Sequence, residues 1–275
     1  MWRILKTRIQ QGYRTLKYPK EEPVFPQRFR GKPVLNPWQK AIDQNSTRKE
    51  FDPTDAVSLK EGLAVDLGRC LFNEDLTEVC PKGDFVYSQD YRMAVSRRED
   101  LVLKGDEIRL AVSLDEKMKK IFGRSLKLRE VCAGSCNGCD LEIQALNNVV
   151  FDLSRFGVQF VASPRHADGL IVTGPVTKNM GFALKKTYEA VPAPKIVIAV
   201  GACAVSGGPF CGGREVYNGV DGFVPVDLYI PGCPPHPLTI LDGLLRLLGK
   251  LDHGSQQKKF KKNLVMKRIM IQCLP

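Results

Sequence analysis

Residues 120 to about 250 predict a parallel β-sheet with helices on both faces. Three observations lead there. Strand-like and helix-like segments alternate through this region, the pattern of successive strand–helix–strand units. The run "KIVIAVG" is continuously apolar between Lys195 and Gly201, as in a strand buried on both faces. The stretch "HPLTILDGLLRLLGK" carries Pro237 near its start and Gly249 near its end, the usual punctuation of a helix.

The elements follow in order. "LKLREV" reads as a strand that runs into the loop "VCAGSCNGCD". "DLEIQALNNVVFDLSRF" sets Leu141, Ala145, Leu146 and Val149 at helical spacing. "GVQFVAS" and "GLIVTG" are short β-rich runs, and "VTKNMGFALKKTYEAV" reads as a helix. "KIVIAVG" and "VPVDLYIPG" are the remaining strands, and the Pro237 helix closes the block. Residues 1–115 differ in character, being charged and Pro-rich with few long apolar runs, and residues 251–275 form a basic tail. There is no internal repeat.

Composition narrows the class. The chain has 275 residues, 43% of them apolar, enough for one sizeable core or two domains. A charged fraction of 26% is not that of a disordered chain. Nine cysteines is an odd number, which excludes complete internal pairing. The start "MWRILKTRIQQGYRTLKYPK" lacks the apolar region of a signal peptide and a twin-arginine signal. The reducing cytoplasm is therefore expected, where clustered cysteines favour metal over disulfide. The longest apolar run is about ten residues, against roughly 20 for a spanning helix. The net charge of +11 suits nucleic acid, an anionic membrane surface or an acidic subunit. Nucleic acid is not expected as a partner, since none of its recognition motifs is present. Trp2, Ile4, Leu5 and Ile9 lie among Arg and Lys, as in an amphipathic helix on a membrane or subunit surface, or in a solvated basic helix. The tail "KKFKKNLVMKR" has a similar charge pattern.

Four cysteines are placed for a common site. Cys136 and Cys139 lie between a strand and a helix start; Cys203 and Cys233 each follow a strand's carboxyl end. In an open α/β sheet that edge is where ligands bind. One Cys-x-x-Cys with two lone cysteines differs from the paired knuckles common in zinc sites. It favours a 4Fe–4S cluster held by four thiolates, with zinc and no metal as the alternatives. Gly138, Gly201, Gly207, Gly208 and Gly232 let backbone approach the sulfurs, and Pro231, Pro234 and Pro235 stiffen the loop around Cys233.

The segments "CNGCDLEI", "ASPRHADGLIVTGPVT", "AVGACAVSGG" and "VPVDLYIPGCPP" closely resemble the small subunit of membrane-bound, energy-converting NiFe hydrogenases of the formate hydrogenlyase type. They resemble equally the homologous complex I subunit. The resemblance spans residues 126–250. It implies a flavodoxin-like fold and one 4Fe–4S cluster on Cys136, Cys139, Cys203 and Cys233, proximal to an active site in a separate large subunit. It implies membrane antiporter-like subunits and a ferredoxin or other electron-carrying protein as further partners, and a peripheral place on the cytoplasmic face. The alternative is the same role in a hydrogenase-related or complex I-like NADH/quinone oxidoreductase module without nickel.

A second resemblance covers residues 1–115. "YPKEEP", "FRGKP" and "DLGRCLFNEDLTEVCPKGDFVYSQDYRMAV" look like the ferredoxin-type subunit of the same complexes. Cys70 and Cys80 match ligands of that subunit's motif, but the two middle positions are Asn73 and Leu76, and no cysteine precedes Cys70. Two thiolates do not fill a four-cysteine site. The expectation is a degenerate ferredoxin-like α+β domain without clusters.

Other residues carry weaker expectations. Glu142 stands at an acidic family position one helical turn from Cys139, as a proton-handling group or a helix-start stabiliser. By resemblance Arg165 and His166 lie close to the cluster, Arg165 as a charge that tunes its potential and His166 as a proton-coupled or merely structural group. Asp227 reads as a structural hydrogen-bond acceptor. Cys132 and Cys211 read as small buried thiols, Cys70 and Cys80 as relics, and Cys273 as incidental.

Overall fold

The computed structural model describes residues 2–35, 51–58, 62–78, 85–105, 108–122 and 125–251. Helix α1 (Trp2–Gln11) comes first and buries none of its residues. Short strands follow. β1 (Pro33–Leu35) pairs antiparallel with β4 (Phe85–Tyr87). β2 (Val57–Ser58), β3 (Ala64–Asp66) and β5 (Val102–Leu103) form a three-stranded antiparallel sheet. Helix α2 (Glu116–Phe122) leads to the central sheet.

That sheet contains β6 (Leu126–Cys132), β7 (Val158–Phe160), β8 (Gly169–Thr173), β9 (Ile196–Val200) and β10 (Leu228–Ile230). Its order is β10-β9-β8-β6-β7, and every pairing is parallel. Counted within the sheet this is the order 2-1-3-4-5, the flavodoxin-like arrangement. The helices are α3 (Gly138–Ala145), α4 (Lys178–Ala190), α5 (Gly201–Ser206) and α6 (Pro237–Leu247). Strands β8 and β9 are buried at every position, so the continuous apolar run of "KIVIAVG" has its expected cause.

Alternate strand residues feed two cores. Leu170, Val172, Val197 and Ala199 pack on one face with Leu184 of α4. Ile171, Ile196, Ile198 and Ile230 pack on the other with Ile143 of α3 and Leu241 of α6. Residues before 115 enter both cores. Val57, Val65, Leu67 and Cys70 join the first, and Tyr18, Tyr91 and Ala94 join the second. Val95 also bridges β10, exchanging two backbone hydrogen bonds with Tyr229 of 3.0 and 2.9 Å.

Two helix expectations fared differently. α6 begins at Pro237 and ends before Gly249, whose φ of +66° is the left-handed conformation of a helix stop. The helix after the cysteine loop is shorter than its apolar spacing suggests. It ends at Ala145, because the Asn148 Oδ1 accepts the backbone N–H groups of Val150 and Phe151 and turns the chain. Leu141 and Val149, which share that helical spacing, are 56% and 68% exposed. Of the basic tail, only Leu251 is among the described residues.

Candidate metal centre

One row of the sheet register organises the site. Cys132, Thr173, Val200 and Ile230 are paired in sequence across β6, β8, β9 and β10. All four end their strands at one level, and three of the segments that leave there carry the cysteines. Cys136 and Cys139 stand on the loop and first turn after β6, Cys203 in α5 after β9, and Cys233 in the loop after β10. The first of these loops leaves where strand order reverses between β6 and β8, the switch point at which such sheets bind ligands.

Hydrogen bonds hold the loops in place. Asp140, buried, accepts from the Thr173 hydroxyl at 2.7 Å and from the Ser135 hydroxyl. These contacts pin the cysteine loop to the end of β8. The Ala202 N–H donates to the Gly232 carbonyl at 2.8 Å, joining the Cys203 and Cys233 loops. Asn137, with φ +71°, turns the chain into α3.

Glycine makes room for sulfur. A Cβ on Gly201 would collide with the Cys139 Sγ, and one on Gly208 would lie 2.9 Å from the Cys203 Sγ. Both glycines have positive φ, +89° and +54°, conformations that L side chains rarely adopt. Gly201 thus serves the sulfur directly, a different reason from the backbone approach expected of it.

Three of the thiols are raised by burial and by their neighbours. Burial pushes the Cys139 thiol up, and the charges of Cys203, Cys233 and Cys136 push it further. Cys203 is pushed up to about 12 by burial, then by Cys233 and Cys136. Cys233 rises by burial and by Cys136. Neighbouring anions that oppose each other's ionisation need a cationic centre to become thiolates together. Among the described residues no group of three His, Cys, Asp or Glu side chains is arranged to hold a single metal ion. Cys139 and Cys203 are buried, whereas Cys136 and Cys233 are exposed, so the group of thiols is open to the outside on one flank.

Beside Cys233 lies a half-open pocket of about 270 Å³, lined in part by Arg28, Arg30, Glu142, His236 and Thr239. Burial raises the Glu142 carboxyl. His236 is pushed down to about 4 by burial, so it is neutral near pH 7. Its Nδ1 accepts the Leu238 N–H at 3.1 Å, and Phe25, Phe29 and Phe151 meet its ring edge-on.

Arg165 and His166 are not gathered into this site. Their turn, Pro164–His166, leads into the amino end of β8, where Asp168 N–H donates to the Lys127 carbonyl. The four thiols lie past the other end of the sheet, beyond about 13 Å of strand. Arg165 and His166 are both exposed. Cys132 and Cys211 are also exposed rather than buried, because Cys132 ends its strand at the open edge. Asp227 acts structurally, accepting the Val197 N–H at 2.8 Å.

Sequence reasoning missed Asp140, Ser135, Thr173 and Glu130. The only signal was an acid directly after a site cysteine. The Glu130 carboxyl is pushed up to about 7 by burial and then by the charge of Asp140.

In the N-terminal region, Cys70 is fully buried, accepts the Phe72 N–H at 3.4 Å and lies 3.8 Å from the Tyr87 hydroxyl. Leu76 is buried, packed in the same core as Cys70. Cys80 and Cys273 lie outside the described residues.

Comparison with known proteins gives consistent relatives. The family model described as the 20 kDa subunit of NADH ubiquinone oxidoreductase matches residues 136–247, a span that includes all four site cysteines. A probable membrane-bound hydrogenase subunit of Pyrococcus furiosus is 49% identical over 132 residues, 48% of this chain and 79% of that protein. Formate hydrogenlyase subunit 7 of Escherichia coli is 45% identical over 140 residues, 51% of this chain and 55% of that protein. An NADH-quinone oxidoreductase subunit of Clostridium beijerinckii is 49% identical over 119 residues, 43% of this chain and 70% of that protein. Among solved structures, a chain of an archaeal membrane-bound sulfane sulfur reductase is 32% identical with a TM-score of 0.44, covering 56% of this chain and 87% of that one.

Proposed function

This chain belongs to the family of the 20 kDa subunit of NADH ubiquinone oxidoreductase, whose members include hydrogenase small subunits, and from that premise we propose that it holds one 4Fe–4S cluster on Cys136, Cys139, Cys203 and Cys233. The family supplies electron-transfer subunits of membrane-bound oxidoreductase complexes. The observation that carries the reading is the single register row from which three loops bring four thiols to one edge.

A 4Fe–4S cluster, when bound, supplies a one-electron relay. The chain's own residues do the rest. Cys139 and Cys203 are held in the buried wall, while Cys136 and Cys233 face outward, toward a partner large subunit that carries the reactive centre. Gly201 and Gly208 keep sulfur and backbone in close contact, and Asp140 fixes the loop that bears the Cys-x-x-Cys pair. Glu142 holds a proton more tightly than an ordinary carboxylate and lines the pocket that touches Cys233. It is the candidate for proton movement at this edge. Arg165 and His166, at the far end of the sheet, are residues for a neighbouring subunit instead.

The partner we propose is a NiFe hydrogenase large subunit, with antiporter-like subunits in the membrane and a ferredoxin or similar carrier as donor. The complex would sit on the cytoplasmic face of the membrane. No helix among the described residues is long and apolar enough to cross a membrane, which fits a peripheral place held through partners. A second reading, the same relay in a complex I-like module without nickel, is favoured by one observation. Leu76 stands buried at an expected ligand position of the ferredoxin-like region, and Cys70 is sealed in the same core. A cluster-free region of this kind implies a different electron entry.

Iron and nickel content of the native complex, isolated anaerobically through this chain, separates the readings. Iron with about one nickel per copy supports the hydrogenase partner. Iron without nickel supports the second reading, and a complex without iron overturns both.

A further inference from the structure

We propose that α1 docks this chain on an anionic membrane surface, with Trp2, Leu5 and Ile9 entering the headgroup boundary and the basic side chains around them meeting lipid phosphates. The helix has no place in the protein's own core. None of its residues is buried, and Trp2 and Ile9 are 80% and 74% exposed. At about 3.6 residues per turn, Trp2, Leu5 and Ile9 share one stripe. Arg3, Lys6 and Arg8 surround that stripe. The first twenty residues hold six cations and no acid.

The attachment to the body is short and directed. Gly12, with φ +63°, ends the helix. Three residues later the Thr15 hydroxyl donates to the Val149 carbonyl at 2.8 Å, and the Leu16 N–H donates to the Val150 carbonyl at 2.9 Å. The helix therefore leaves the body beside Val149, an apolar side chain that is itself 68% exposed.

Lipid fits these features better than a protein groove. A ten-residue helix is marginal in water without a surface to stabilise it. A Trp at one end, a narrow aliphatic stripe and flanking cations match a helix lying in the interface plane. The charge complement is an anionic leaflet, which attracts segments of this kind near its surface. The feature lies outside residues 136–247 matched by the family model, and it stands or falls independently of the cluster.

The test uses the full chain and vesicles of phosphatidylcholine with or without phosphatidylglycerol. The wild-type chain is expected to sediment with phosphatidylglycerol vesicles, to release at high salt, and to ignore phosphatidylcholine alone. The pair Leu5→Glu and Ile9→Glu is expected to weaken binding about tenfold or more. Far-UV circular dichroism should show the rest of the fold intact, since neither side chain is buried. Binding that survives the pair overturns the proposal, because the remaining basic surface then suffices. A chain that ignores anionic vesicles, yet loses a partner subunit from the native complex on the same substitutions, overturns it in favour of a protein surface.

Discussion

Gly201 and Cys139 lie in direct contact, so the smallest change at the glycine tests the site. Gly201→Ala places a methyl group on the Cys139 sulfur at a φ of +89°. The variant should lose about 1–3 kcal/mol in denaturant unfolding and most of its iron. Cys132→Ser and Cys211→Ser should leave iron content unchanged, since neither thiol is among the four proposed ligands. Glu130 gives a pH prediction. Its carboxyl is raised to about 7 in the folded chain from an ordinary 4.5. The folded state thus binds the proton more tightly between these values. The contribution to stability is complete below about 4.5 and is lost as pH rises through about 7. Glu130→Gln should show a flatter fall in unfolding midpoint over that window, and an equal slope in both proteins would contradict the assignment. The cysteines were legible because thiols at strand ends are few. Glu130 and Asp140 were not, since their carboxyls signal nothing until the fold pairs Asp140 with Thr173 and Ser135 and sets Glu130 against it.

Helix α6 shows how an element is secured from outside itself. Asp242 and Arg246 are buried one turn apart and paired at 2.6 Å, and the Tyr18 hydroxyl donates to Asp242 at 2.9 Å. Asp242→Ala would leave a guanidinium buried without its charge partner and should cost about 3–5 kcal/mol. Tyr18→Phe removes one hydrogen bond to a charged group and should cost about 1.5–3 kcal/mol. Thermal and denaturant unfolding measure both. The limits of α6 were readable from Pro237 and Gly249. The end of α3 was not, because apolar spacing continues to Val149 while the Asn148 side chain captures two backbone N–H groups and ends the helical turns there. Periodicity records which residues are apolar. It does not record where a side chain competes with the backbone.

At the scale of the molecule, the parallel sheet was legible from its buried runs, but the manner in which residues 1–115 cover it was not. Strands of two or three residues carry no readable period, and their apolar residues look scattered until they meet the sheet. Leu67 and Val65 pack in one core with Leu170 and Val172, and Tyr91 packs in the other with Ile198. Cores shared in this way predict one cooperative transition for the full chain, with tyrosine fluorescence and far-UV circular dichroism tracing the same curve. Two separated transitions would instead support a domain boundary near residue 115. The central claim remains the four-thiol centre, and its most direct test is the iron and acid-labile sulfide content of the purified full chain after anaerobic reconstitution, set against Cys203→Ser. The account predicts about four iron and four sulfide per chain, with broad visible absorbance, and the loss of both in the variant. Full iron and absorbance retained without the Cys203 thiol, or a single zinc in place of iron, would contradict it.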